Sequence, residues 1–208
     1  MSTNYLSDSF YQTMINDLSL TLRELVNQDT MLKDVQILFD RPSEKFNPTA
    51  LTLNLFLYDI RENRELRTSE SISERRDNSY EIYHPPLRVD CSYLITAWPG
   101  SLNGDEAILQ EQQLLSRAII VLAKYTSIPD SFLQGSLTTH DRPITIRMLQ
   151  SSEIKDPADF WSAIGNKLRP SLNFVVTLAM PSIVEKESAP VVTSLQVHIN
   201  NKELSNLQ

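Results

Sequence analysis

The chain has a single cysteine, Cys91, so it can close no disulfide on itself and build no cysteine-based metal site. It has only four glycines, the raw material of loops that cradle phosphates and cofactors. No Walker loop, no G-x-G-x-x-G and no G-x-S-x-G elbow occurs, and Gly135-Ser136 lacks the second glycine of the last. The three histidines, His84, His140 and His198, stand far apart and outside any H-x-x-x-H or H-E-x-x-H frame, which leaves helix-borne zinc ligation unsupported. An excess of cations is also missing. Lys and Arg number 19 against 26 Asp and Glu, a net charge of −7, which argues against a nucleic-acid surface or a polybasic membrane patch. No apolar run approaches the roughly 20 residues of a membrane span. Met1 to Asp8 shows neither a basic start nor an apolar h-region, so no secretory signal is expected and synthesis in a reducing cytoplasm fits. No cofactor is expected.

What is present is a globular composition, 41% hydrophobic and 22% charged, with eleven prolines that make ordered connections. Residues 7–27 carry Phe10, Met14, Leu18, Leu22 and Leu25 at helical spacing, with Ser7 or Asp8 as cap. A short strand is predicted at 35–40. A strong strand at 51–60 has Leu51, Leu53, Leu55 and Leu57 on one face and Phe56 and Tyr58 on the other, the pattern of a central strand. A second long strand, 87–98, alternates Leu87, Val89, Cys91, Tyr93, Ile95 and Ala97 against Arg88, Asp90, Ser92 and Thr96. Between these two strands, Arg61 to Pro86 reads as a long loop or an extended hairpin arm. After the Asn103-Gly104 turn, a helix over 105–125 places Asp105 and Glu106 in its first turn and Ile108, Leu115, Ala118, Ile119, Leu122 and Tyr125 at helical spacing. Further expectations are a single turn at 130–134 stopped by Gly135, a strand at 144–149, a short helix capped by Asp156-Pro157, and a strand at 172–180. Pro181 to Pro190 reads as a charged linker, and 191–200 as a strand beyond it. The fold class is therefore α/β (α+β): a mixed sheet flanked by two main helices, as a domain over 1–181, with a linker and strand arm over 182–208.

Few residues suggest chemistry. Asp59 with Glu62, and Asp105 with Glu106, are carboxylate pairs, but nothing in their spacing splits the two acidities as general acid–base work requires. Asp59 is more simply a strand end, and Asp105/Glu106 complement a helix dipole. Cys91 fits a core position, and Trp98 and Trp161 fit core or interface anchors. The run from Arg61 to Asp77 holds five Arg, four Glu and one Asp and so balances to zero. A neutral, arginine-rich segment suits paired recognition of a protein surface better than a nucleic acid, and a plain solvated loop is its simplest reading. The 191–200 strand can close its own sheet or add to a neighbour's. An enzyme with dispersed catalytic residues, for example a hydrolase using His84 or His140, stays open at this point.

The order of the segments points further. Phe39-Asp40-Arg41-Pro42-Ser43, Leu57-Tyr58-Asp59-Ile60-Arg61-Glu62-Asn63, Pro85-Pro86-Leu87-Arg88-Val89-Asp90, Ile128-Pro129, Phe160-Trp161-Ser162-Ala163 and Leu168-Arg169-Pro170-Ser171-Leu172-Asn173 follow one another as in a known family. From about residue 7 to residue 180 the chain resembles the N-terminal domain of the tail-terminator, or cap, proteins of extracellular contractile injection systems, particles of the antifeeding-prophage type. The resemblance implies a non-enzymatic role: a hexameric ring of like subunits that ends the inner tube and holds the end of the sheath, with inner tube protein and sheath protein as partners, no nucleic acid and no membrane insertion. It implies assembly into a particle that can leave the cell. A tube-associated assembly adaptor is the neighbouring alternative. On this reading the contact residues are Asp59, Arg61, Glu62, Asn63, Arg64, Glu65, Arg67, Arg75, Arg76 and Arg169, with Val191, Thr193, Leu195, Val197 and Ile199 on the arm.

Overall fold

A computed structural model describes residues 13–68, 70–76, 79–140, 142–149, 154, 156–180 and 186–190. The chain divides into two compact units, one of residues 1–67 and 87–180, the other of residues 68–86 and 181–208.

The larger unit is a five-stranded sheet with helices on it. Its strands are β1 (Gln36–Leu38), β2 (Thr52–Glu62), β5 (Leu87–Trp98), β6 (Thr145–Met148) and β7 (Ser171–Met180), in the order β1-β2-β5-β7-β6. β1 runs parallel to β2 and every other pair is antiparallel, so the sheet is mixed as expected. β5 begins and ends where the alternation of its side chains does, bracketed by Pro85-Pro86 and Pro99. The register sets Leu53 beside Ala97, Leu55 beside Ile95 and Leu57 beside Tyr93; Phe174 and Val176 continue the row across β7. Period-two alternation thus brings the aliphatic residues of three strands onto one face.

That face is covered by α1 (Met14–Asn27) and α2 (Gly104–Ala123). Leu18, Leu22 and Leu25 of α1 are buried at helical spacing, as are Leu115, Ala118 and Leu122 of α2. Each such leucine removes enough apolar surface from water that truncation to alanine costs about 2–5 kcal/mol. Tyr93 is stacked on Phe174 at 5.0 Å and lies fully inside the core. Of the sequence-predicted α1, residues 7–12 lie outside the described residues.

The opposite face is covered in part by α3 (Pro157–Ala163), whose Trp161 and following Ile164 pack on Leu94 of β5 and on Tyr58. Asp156 caps α3, its Oδ1 accepting from the amides of Ala158 at 2.8 Å and Asp159 at 3.1 Å, with Pro157 at the first helical position.

The smaller unit is a three-stranded antiparallel sheet of β3 (Ile72–Arg76), β4 (Ser79–Tyr83) and β8 (Lys186–Pro190), in the order β3-β4-β8. The polar stretch after Arg61 is therefore a hairpin from Ile72 to Tyr83. Lys186–Pro190, expected as linker, is a strand whose Glu187 lies opposite Ile82. The predicted strand 191–200 lies outside the described residues.

Two polar anchors join distant parts of the larger unit. Asp17 of α1 accepts from the amide and hydroxyl of Ser136 at 2.9 and 2.6 Å, which docks the helix on the 3-10 turn Gly135–Thr139. Asp29, just past α1, takes Arg117 of α2 in a two-pronged pair at 2.7 and 2.6 Å. Burial pushes the Asp17 carboxyl up, but the hydrogen bonds from Ser136 outweigh it and hold the group below its ordinary value. For Asp29 the Arg117 hydrogen bond dominates burial, with the same net direction.

Candidate interface

The second half of β2 and the residues just after it hold seven of the fifteen sequence-predicted contact residues, Asp59, Arg61, Glu62, Asn63, Arg64, Glu65 and Arg67. A β-bulge between Leu57 and Asp59 shifts the register, so that Asp59 sits opposite Ser92, Ile60 opposite Cys91 and Arg61 opposite Asp90. The bulge carries β2 on to Glu62, two residues beyond its expected end, and turns Asp59 and Arg61 toward the polar side of the sheet.

At the centre of this polar surface is Asp90. Both its carboxylate oxygens accept from Asn63 Nδ2, at 3.1 and 3.0 Å, and the carboxylate also accepts from Arg147 Nη2 at 2.8 Å and from Thr177 Oγ1 at 2.6 Å. Strands β5, β6 and β7 and the end of β2 thus share one anion. Asn63 is buried, and its Oδ1 accepts from the amide of Leu66, which shapes the bend leaving β2. Asn63 is held inside the subunit. Asp90 was read from the sequence only as a strand residue; one carboxylate amid the aliphatic alternation of β5 was the available signal of a hub.

Arg61, Arg64 and Arg67 of the predicted contact run are exposed, while Asp59 is half-buried. Arg61 Nε lies 2.6 Å from Asp59 and Arg67 Nε lies 3.4 Å from Glu62. Arg64 and Glu65 are exposed between them, and Arg75 is exposed on β3 in the smaller unit. Arg76 lies opposite Ser79 in the hairpin register. Ion pairs whose arginine is solvent-exposed contribute little to stability, about 0–1 kcal/mol.

Arg169 is placed apart from this group. Its guanidinium lies over the Trp98 ring at 3.6 Å and donates to Glu111 Oε1 at 2.9 Å, while Phe46 meets the Trp98 ring edge-on at 4.9 Å. Burial holds the pKa of Arg169 below its ordinary value, against the opposing pull of Glu111. It is a packed cation that ties the segment leading into β7 to α2. Val191, Thr193, Leu195, Val197 and Ile199 lie outside the described residues.

The candidates for chemistry are accounted for otherwise. His140 points both ring nitrogens at backbone carbonyls, Arg142 O at 2.6 Å and Ala179 O at 2.9 Å. His84 Nδ1 lies 3.1 Å from Ser71 Oγ. Among the described residues no group of histidine, cysteine and carboxylate side chains could hold a metal ion, and no helix is long and apolar enough to cross a membrane. Cys91 is buried, and burial pushes its thiol up to about 12.

Residues 17–194 match the family model of the Pvc16 N-terminal domain. No curated protein matches the chain. Among solved structures, the fold is similar to the sheath/tube terminator of the PVC extracellular contractile injection system in its extended state, with a TM-score of 0.59 and 23% identity over 95% of this chain and 65% of that one. It is also similar to the tube-terminating cap of the anti-feeding prophage, with a TM-score of 0.59 and 25% identity over 91% of this chain and 62% of that one. The chain thus spans less than two thirds of the length of either protein.

Proposed function

Because the chain belongs to the Pvc16 N-terminal domain family, we propose that it is a structural subunit that ends the tube of a contractile, phage-tail-like particle. The observation that carries this reading is the likeness, along nearly the whole chain, to a cap that terminates a tube.

The mechanism is one of surfaces. A tube grows because each added subunit presents again the interface it has just used, a heterologous contact that does not close. A subunit that complements the tip on one side and offers no copy of that interface on the other stops the growth. In our reading the subunits form a ring, six to match the particle, that seats on the inner tube and holds the last layer of sheath.

The surface around β2 supplies the register of this seating. Arg61, Arg64 and Arg67 alternate with Glu62 and Glu65, and the weak pairs Arg61–Asp59 and Arg67–Glu62 can be exchanged for charges of the tube or of the next subunit. The arm contributes through residues 191–200, whose sequence alternates as a strand does and which would complete an unpaired strand edge of the last sheath layer by main-chain hydrogen bonds. Since β8 already pairs with β4 through Lys186–Pro190, the arm proper begins after Pro190.

Two variants test the parts separately. Removing 191–208 should leave tube length controlled while the sheath detaches from the capped end in electron micrographs. Reversing Arg61, Arg64 and Arg67 to Glu should abolish seating of the subunit on the tube. Intact sheath attachment after the deletion would refute the arm, and normal seating after charge reversal would refute the role of the arginines.

A further inference from the structure

The polar hub at Asp90 does more than join strands. Each carboxylate oxygen accepts two hydrogen bonds: Oδ1 from Thr177 Oγ1 at 2.6 Å and Asn63 Nδ2 at 3.1 Å, Oδ2 from Arg147 Nη2 at 2.8 Å and Asn63 Nδ2 at 3.0 Å. An ionised carboxylate offers about four acceptor sites, so Asp90 is filled from within the subunit. Asn63, 4% exposed, is likewise closed off from any partner. Neither side chain is placed to touch another protein, yet the turn they hold carries Arg64, Glu65 and Arg67, all exposed.

The chemistry of the pair fixes a direction. A side-chain amide has an oxygen and an NH2 of nearly the same shape, and before a neighbour that both donates and accepts, either end can face it. A carboxylate only accepts, so the NH2 of Asn63 must face Asp90 and its Oδ1 must face away. That Oδ1 accepts from the amide of Leu66 at 2.9 Å, which bends the chain back within three residues. The backbone of Asn63 is fixed as well, its N–H donating to Arg88 O at 2.8 Å, and the Arg67 amide donates to Arg64 O at 3.4 Å to continue the bend. Arg147 supplies the charge that lets an anion stand at this half-buried place. Stability alone does not call for such a cluster, since apolar side chains of like shape often stabilise a fold as well as a buried ion pair does. What they cannot supply is a polarity that selects one orientation of the Asn63 amide.

We propose that Asp90 is a positioning residue: acting through Asn63, it fixes the backbone of residues 63–67 in the shape in which Arg64, Glu65 and Arg67 meet their partner. A backbone held before contact need not be ordered at the moment of binding. Once released, even a single residue that has to be ordered again on docking weakens binding about tenfold. The proposal rests on the reading above, that this run seats the subunit on a tube. It makes Asn63, which the sequence placed among the contact residues, part of their support instead.

The experiment compares Asp90→Asn, Asn63→Asp and the double exchange Asp90→Asn/Asn63→Asp with wild type. Asp90→Asn keeps the size of the side chain but lets either end of the new amide face Asn63, so the direction is lost. Asn63→Asp sets two carboxylates face to face. The double exchange restores the direction with the charge on the other side: the amide at position 90 donates, and the carboxylate at position 63 accepts from it and from Leu66. Ile95→Val, in the core and away from the turn, controls for a general loss of stability. Circular dichroism melting shows that each variant folds. Two quantities are read: hydrogen exchange of the Leu66 amide by NMR, and co-sedimentation of the full chain with tubes from particles assembled without this protein. In both single variants Leu66 should exchange at least about tenfold faster and seating should weaken at least about tenfold; the double exchange should bring both to within about threefold of wild type, and Ile95→Val should change neither. Unchanged Leu66 exchange in the single variants, seating unchanged where protection is lost, or no recovery in the double exchange would each overturn the proposal, and the cap reading would stand. Wild type that fails to sediment with the tubes refutes the cap reading instead, while the exchange rates still decide whether Asp90 holds the turn.

Discussion

Replacing Gly135 by alanine should be far more damaging than the size of a methyl group suggests. Gly135 has φ +56, in the left-handed region, where an L residue pays about 1–2 kcal/mol. An added Cβ would also lie 2.5 Å from Cγ and 2.6 Å from either oxygen of Asp17. That carboxylate cannot step aside cheaply, because it is buried and fastened by the amide and hydroxyl of Ser136. Moving it loses charge-assisted hydrogen bonds of about 1.5–3 kcal/mol. The expected loss for Gly135→Ala is therefore about 3–5 kcal/mol, much of the stability of an ordinary domain. Gly165 provides the comparison: it has φ +76 with nothing within 4 Å of the added Cβ, so Gly165→Ala should cost the backbone term alone, about 1–2 kcal/mol. Urea unfolding of both variants measures the difference. Adding Asp17→Ala should shrink the effect of Gly135→Ala to that of Gly165→Ala, since the group it collides with is gone. Equal costs for the two glycines in the wild-type background would refute the idea that Asp17 and the 135–139 turn form one locked joint.

Acid should loosen the same joint. Asp17 and Asp29 are held below the ordinary aspartate value of 3.8. Between the folded and unfolded values the unfolded chain binds more protons, so the stability these groups supply is present above about pH 4 and is lost as the pH falls below it. Asp17→Asn and Asp29→Asn should be less stable at pH 7 and show a shallower loss between pH 5 and 3 in urea titrations; an unchanged slope would contradict the assignment. Cys91, buried with its thiol raised to about 12, should resist a thiol-specific reagent at pH 8 until the protein is unfolded, and prompt labelling of the native chain would show the β2–β5 ladder to be open. Leu149 is 57% exposed with φ +52, so Leu149→Asn should raise the Tm by about 2 °C, asparagine tolerating that conformation better. A lowered Tm would mean that the leucine side chain stabilises the subunit by packing.

The parts of the fold that the sequence revealed are those in which side-chain periodicity and chain breakers agree. β5 and α2 are such cases: each has a strong pattern, and prolines or a turn mark its ends. The overrun of β2 to Glu62 was hidden because Asp59, Arg61 and Glu62 are polar and the bulge that keeps them in the ladder has no mark in the sequence. The hairpin was one of two readings of Arg61 to Pro86, but its bounds and β8 were hidden for a related reason: Ser-Glu-Arg-Arg and Lys-Glu-Ser-Ala have no apolar alternation, and pairing with β4 decides their state, as tertiary context commonly does for strands. The proposed contact surface showed in the sequence as the balanced run of charges from Arg61 to Asp77. Its organisation did not, because Asp90 gathers Asn63, Arg147 and Thr177 across as many as 87 residues of chain. The outward turn of Ile108, Leu109 and Ile120 on α2 was invisible in a helix whose apolar residues exceed what one buried face needs.

The most direct test of the central claim is the length distribution of tubes in electron micrographs of particles made with and without this protein. The account predicts one sharp length and closed ends when it is present, and tubes of broadly scattered length with open tips when it is removed, restored by supplying the chain again. Tubes of the same single length, closed alike in its absence, would contradict it.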